Sequence, residues 1–143
     1  MNKHAIEYAD FFENLTKEDT KELYKNFFDV NSSFEDPFQK VKGLDAIYKV
    51  FEHMYETLYE PKFIVDEINQ NDSVAYLKWH FYFKLSSKAK EQSFIGVSRV
   101  NFDNTGMVIS HVDYWDAAYN VYEKIPLLGS ILRMIKRKLN ASF

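Results

Sequence analysis

One run in the middle of the chain, Val74 to Leu85, limits the fold more than any other. Ala75, Leu77, Trp79, Phe81, Phe83 and Leu85 alternate without a break with Val74, Tyr76, Lys78, His80, Tyr82 and Lys84. A period of two places the first set on one face of a β-strand, and a helix would scatter it around its axis. The result is a long strand with one wholly apolar face that must be covered by a core, and one face of tyrosines and lysines.

The flanking residues build a sheet around this strand. Lys62 to Gln70 reads as extended and reaches it through the turn Asn71-Asp72-Ser73. After the polar loop Ser86 to Gln92, residues 93–102 form a third strand, and Asp103-Asn104-Thr105-Gly106 turns the chain into a fourth. Helical spacing dominates the N-terminal part instead. Ala5, Tyr8, Ala9, Phe12 and Leu15 predict a helix over 4–15, and the capping box Thr16-Lys17-Glu18-Asp19 starts a second over 17–28. Leu44, Ile47, Tyr48, Phe51, Met54, Tyr55 and Leu58 predict a third over 44–59, preceded by Gly43 and stopped by Pro61. Helices followed by an antiparallel meander indicate an α+β domain with its helices on one face of a curved sheet.

The 143 residues fit one domain with a core of its own. There is no cysteine, which excludes disulfides and thiolate chemistry and agrees with a reducing, cytoplasmic setting. No run has the length and apolarity of a membrane span or a signal peptide. Thirteen Phe, 10 Tyr and 2 Trp suit a cavity lined by rings, although an aromatic core accounts for them equally well. Of the net charge of −3, residues 124–143 contribute five basic side chains and no acid, so the first 123 carry −8. Nucleic acid is not an expected partner of such a body.

The fourth strand, Met107 to Ala118, carries the chemistry. Ile109, His111, Asp113 and Trp115 share one of its faces, while Val108, Ser110, Val112 and Tyr114 share the other. His and Asp between Ile and Trp suggest a polar spot inside an apolar cavity, yet parity alone leaves open that they face solvent and Val112 packs inward. Asp36 is held extended by the following Pro37. Asp116 reads as a cap for the turn after the strand, and His53 and His80 as surface or subunit-contact residues. The four histidines lack metal-ligand spacing, and there is no phosphate-cradling glycine loop or nucleophile motif, so no metal and no cofactor are expected.

Three motifs occur in order: Glu35-Asp36-Pro37, Gly43-Leu44-Asp45-Ala46-Ile47, and the late Gly106 to Trp115, G-M-V-I-S-H-V-D-Y-W. Together they resemble the nuclear-transport-factor-2-like superfamily, in its SnoaL-like and ketosteroid-isomerase-like branches, over about residues 4–118. The resemblance implies a cone-shaped fold of three N-terminal helices packed on a curved antiparallel sheet, and homodimers formed through the outer face of the sheet. In the isomerase branch the Asp of Glu-Asp-Pro is the general base, here Asp36. That branch's oxyanion-hole Tyr and acid fall at Phe11 and Ser98, and phenylalanine donates no hydrogen bond, so steroid isomerisation by that route is not expected. Tyr8 lies one helical turn earlier. In the SnoaL-like branch a His-any-Asp pattern supplies the base and its neighbour, matched here by His111-Val112-Asp113.

The implied site therefore has Asp36, His111 and Asp113 as catalytic candidates. Its expected wall comprises Tyr8, Phe11, Phe12, Phe34, Phe51, Tyr55, Trp79, Phe81, Ser98 and Trp115. The expected ligand is a small apolar or aromatic molecule, and the expected chemistry isomerisation or cyclisation by proton transfer. The alternative is a non-catalytic interaction or carrier domain. Residues 1–123 make up the domain and 124–143 an appended basic, amphipathic helix. Its stripe Leu128, Ile131, Leu132, Ile135 and Leu139 lies beside Arg133, Lys136, Arg137 and Lys138. The expectation is that Ile131, Leu132 and Ile135 are buried on protein, so that truncation exposes apolar surface, with peripheral membrane contact through 127–139 as the rival.

Overall fold

Spacing in the first helix decides how the core is begun. In the computed structural model, which describes residues 3–141, α1 (Lys3–Glu13) turns Ala5, Tyr8, Ala9 and Phe12 into the interior. After a short α2 (Lys21–Tyr24) come β1 (Phe28–Glu35), β2 (Lys40–Lys42) and α3 (Leu44–Thr57). Four long strands follow: β3 (Tyr59–Asn71), β4 (Val74–Lys84), β5 (Gln92–Phe102) and β6 (Val108–Trp115). The described chain closes with α4 (Ala117–Asn120), a 3₁₀ turn at Tyr122–Lys124 and α5 (Leu128–Leu139).

The six strands form one sheet in the order β2-β1-β6-β5-β4-β3. Trp79 and Phe81 are buried as the alternation of β4 requires, together with Ala75 and Leu77. They meet Ile47 and Phe51 of α3 and Phe12 of α1 in one aromatic core. Each such side chain contributes roughly 1.5–3 kcal/mol on burial. α3 begins at Gly43, whose φ of +98° is costly for any residue with a Cβ, and Asp45 in its first turn complements the helix dipole. Irregular register between Val65 and Glu67 in β3 and between Asn101 and Phe102 in β5 bends the sheet around this core.

Four expectations need correction. The sheet is mixed, because β1 runs parallel to β6, with Phe34 beside His111 and Glu35 beside Val112. The second helix is a single turn: Asp19 does return to the Thr16 amide at 2.7 Å, but i→i+3 bonds at Leu23, Asn26 and Phe27 follow, and Phe28 already belongs to β1. Burying Tyr24 and Phe28 in the sheet's core outweighs continuing the helix. Ile109 is exposed and Val108 buried, since the register break opposite Asn101 and Phe102 reverses parity at the start of β6. Finally, of the three residues expected to be buried on protein, Ile131 and Ile135 are 44% and 45% exposed and Leu132 is half-buried. α5 is anchored instead through Gly129 and its cationic side, both of which meet Glu123. Removing residues 124–143 would thus subtract apolar surface, not reveal it.

Candidate active site

The parity break in β6 leaves His111, Asp113 and Trp115 on the concave side of the sheet, facing α1 and α3. Their neighbours follow from register. Ser98 of β5 lies opposite Asp113, Gly96 opposite Trp115, and Gly96 also opposite Trp79 of β4. A Cβ at position 96 would collide with the Trp79 indole, so glycine lets that ring lie flat across β5. From there Trp79 Nε1 donates to Ser98 Oγ at 2.8 Å.

A directed chain of hydrogen bonds results. Ser98 Oγ donates to Asp113 Oδ1 at 2.5 Å, and His111 Nε2 meets the same oxygen at 2.6 Å. On its other side, His111 Nδ1 lies 2.7 Å from Tyr8 Oη. Burial, and secondarily the charge of Asp113, holds the Tyr8 hydroxyl's pKa well above its ordinary value, so the phenol keeps its proton. The Asp113 carboxylate only accepts, so His111 Nε2 carries a proton and donates to it, while Nδ1 and the Tyr8 hydroxyl share the second hydrogen bond of the ring. The His111 side chain is 4% exposed and the Asp113 side chain 14%. Asp113 Oδ2 has no hydrogen-bond partner among the described residues.

Two spaces meet at Asp113. The inner one is about 20 Å³, water-sized, and lies between Tyr8, Phe12, Trp79, Ser98 and His111. The outer one is about 380 Å³ and is walled by Phe34, Phe51, Phe63, Phe81, Phe94 and Trp115, with Asp36 also reaching it. That volume lies at the lower end of the range for small-molecule pockets. Trp115 stacks on Phe94 with centroids 4.3 Å apart and takes Phe38 edge-on, forming the rim.

Tyr8, Phe12, Phe34, Phe51, Trp79, Phe81, Ser98, His111, Asp113 and Trp115 thus border one or both spaces. Two expected wall residues do not. Phe11 faces away from the cavity and stacks on Phe27 at 4.4 Å, and Tyr55 is buried elsewhere along α3. Tyr8, a turn earlier, holds the position expected of a helix-borne hydroxyl. Asp36 sits at the mouth, where Oδ1 accepts the amides of Phe38 and Gln39 and Oδ2 the Gln39 side chain. Its carboxylate therefore shapes the turn after β1. Phe63, Phe94 and Gly96 were missed; Phe94 and Gly96 alternate with Ser98 and were accessible from parity, whereas Phe63 lies on a strand whose parity slips between Val65 and Glu67. Asp116 caps α4 by accepting the Tyr119 amide. No three His, Asp or Glu side chains among the described residues are grouped to hold a metal.

Compared with known proteins, residues 8–111 match the family model of the SnoaL-like domain. The chain belongs to this family. Among solved structures, this SnoaL-like chain resembles a SnoaL-like polyketide cyclase candidate from Jannaschia sp. CCS1, with a TM-score of 0.70 and 9% identity over 82% of this chain and 88% of that one. It also resembles a protein of ketosteroid isomerase-like fold from Catenulispora acidiphila DSM 44928 in complex with trimethylamine, with TM-score 0.70 and 7% identity over 83% and 89% of the two chains. A third is TerC co-crystallized with polyporic acid, at TM-score 0.67 and 10% identity over 82% and 92%. At such identities the likeness is one of fold. Among curated proteins, none matches the chain.

Proposed function

We propose that this SnoaL-like chain is an isomerase or cyclase that moves a proton on a small apolar or aromatic carbonyl compound, with Asp113 as the base. One observation carries the reading: Asp113 lines the aromatic cavity with its Oδ2 unpartnered, while Ser98 and His111, themselves held by Trp79 and Tyr8, both bond its Oδ1. Oδ2 removes a proton from the carbon beside the carbonyl. The electron pair left behind enters the enolate, and Asp113 returns the proton to another carbon, or the carbanion closes a ring on a second carbonyl and Asp113 returns the proton to the alkoxide oxygen so formed. His111 has both nitrogens engaged, so its role is to position Asp113 and not to touch substrate. Asp36 contributes charge and shape at the mouth.

The same reading takes residues 1–123 as the domain and 124–143 as its appendage, in a cytoplasmic homodimer. Tyr76, Ile95 and Tyr114 are exposed on three adjacent strands of the outer face and supply the side chains such a contact favours. Sedimentation velocity at micromolar concentration should give twice the chain mass.

The chemical reading is tested with polyporic acid and simple aromatic ketones as first probes. Exchange of the ketones' α-protons in D₂O should be accelerated by the wild type. Asp113→Asn should lose at least a hundredfold of that rate while still binding the probe. Binding with no exchange above background in the wild type would make the chain a carrier and end the catalytic reading.

A further inference from the structure

α5 meets the rest of the protein with its polar side. Gly129 is buried so tightly against Glu123 that a Cβ would collide with the Glu123 carbonyl oxygen. One turn on, Arg133 Nη1 donates to that same oxygen at 2.9 Å. Another turn on, Lys136 Nζ reaches the Glu123 carboxylate at 2.6 Å and stands 4.9 Å from the Tyr119 ring centroid. Residues 129, 133 and 136 share one stripe of the helix, so this stripe is the attachment. A second stripe, Leu128, Ile131, Ile135 and Leu139, lies about a third of a turn round the helix axis from the attachment and is turned outward, each of its residues exposed, while Leu132 between the two stripes is half-buried.

A globular domain normally does the reverse and buries the apolar stripe of a surface helix. At 3.6 residues per turn the outward arc is bordered by Lys136 on one side and Lys138 on the other. Arg137 and Lys138 make no ion pair among the described residues, and residues 124–143 contain no acid. A surface that accepts this helix must be apolar in the middle and anionic at the edges. A twelve-residue helix is about 18 Å long and 10 Å wide, presenting roughly 200 Å² in outline. That is about a quarter of the ~800 Å² each partner of a stable protein pair buries. A bilayer imposes no such minimum, because each inserted side chain and each cation at the headgroups adds separately.

We propose that residues 128–139 form an interfacial helix that lies flat on anionic lipid bilayers, with Leu128, Ile131, Ile135 and Leu139 entering the headgroup–acyl boundary and Lys138, at the edge of that arc, among the phosphates. The short strap that carries it also contributes Val121 to the wall of the 380 Å³ cavity, and packs Tyr122 edge-on to Phe38 at the rim. No helix among the described residues is long and apolar enough to cross a membrane, so attachment is to the surface.

The test uses the full chain and flotation with extruded vesicles. Wild-type protein should float with phosphatidylcholine containing about 30% phosphatidylserine and stay behind with phosphatidylcholine alone. Ile131→Glu with Ile135→Glu should abolish flotation, with circular dichroism and melting unchanged because both positions face outward. Lys138→Ala should weaken binding about fivefold, the loss expected for one cation at the headgroups, and Arg137→Ala, on the far side of the helix, should weaken it far less. Absence of flotation in the wild type overturns the proposal, as does undiminished flotation of the double Glu variant. A lipid-free dimer that the double Glu variant converts to monomer also overturns it and makes a second copy the occupant.

Discussion

Tyr8 shows how much one hydroxyl decides. It gives His111 Nδ1 its partner, at 2.7 Å in a fully buried setting, on the side of the ring away from Asp113. Tyr8→Phe should cost about 1–3 kcal/mol, the penalty of leaving that nitrogen buried and unpaired. Nitrogen-15 spectra of the imidazole should shift at Nδ1 in the variant while the Nε2 proton held by Asp113 persists. Ser32 is the opposite case. Its Oγ is buried without a hydrogen-bond partner, so Ser32→Ala removes a desolvated hydroxyl and gains nothing unfavourable. Thermal unfolding should show that variant equal to wild type or more stable by about 1 kcal/mol. Residues at this scale were only partly legible in the sequence. His111 and Asp113 stood out because a charged pair on a strand face is conspicuous. The Tyr8 contact did not, since a helix wheel brings Tyr8, Phe11 and Phe12 all toward the interior and only packing of α1 selects which one meets β6.

At the scale of elements, β4 and α3 were predictable because twelve alternating residues and a seven-member apolar stripe leave no competing arrangement. α2 was not: its capping signal is real, but the pairing of Phe28 with Val108 lies eighty residues away and outweighs local propensity. The orientation of α5 was equally hidden, because amphipathicity states that a helix has two faces and not which one the protein takes. Within the sheet, β5 carries a constraint that only register reveals. Gly96→Ala should push the Trp79 ring off the strand and break its bond to Ser98 Oγ. Expected readouts are a red shift of tryptophan fluorescence and a loss of about 1–3 kcal/mol, whereas alanine on the opposite, outer face of β5 should change little.

For the molecule as a whole, burial of phenols sets an alkaline limit. Tyr8, Tyr24 and Tyr55 all have pKa values raised above the ordinary 10.0, chiefly by burial. In the folded state they retain protons that the unfolded chain gives up above pH 10. Their contribution is therefore complete below pH 10 and falls as the pH climbs beyond it, by about 1.4 kcal/mol per tyrosine per pH unit. Tyrosinate absorbance and far-ultraviolet circular dichroism should change together in one steep transition above that pH, with no earlier ionisation of these three rings. The Tyr8–His111 bond has a different consequence, kinetic in kind. It joins residues 103 positions apart, the first described helix to the last strand of the sheet. Closing so long a loop costs entropy, and the bond gains its full value only once β4, β5 and β6 are in register. The site is therefore expected to order after the sheet during refolding, so that amide protection in β4 and β5 should precede recovery of the buried Tyr8 environment.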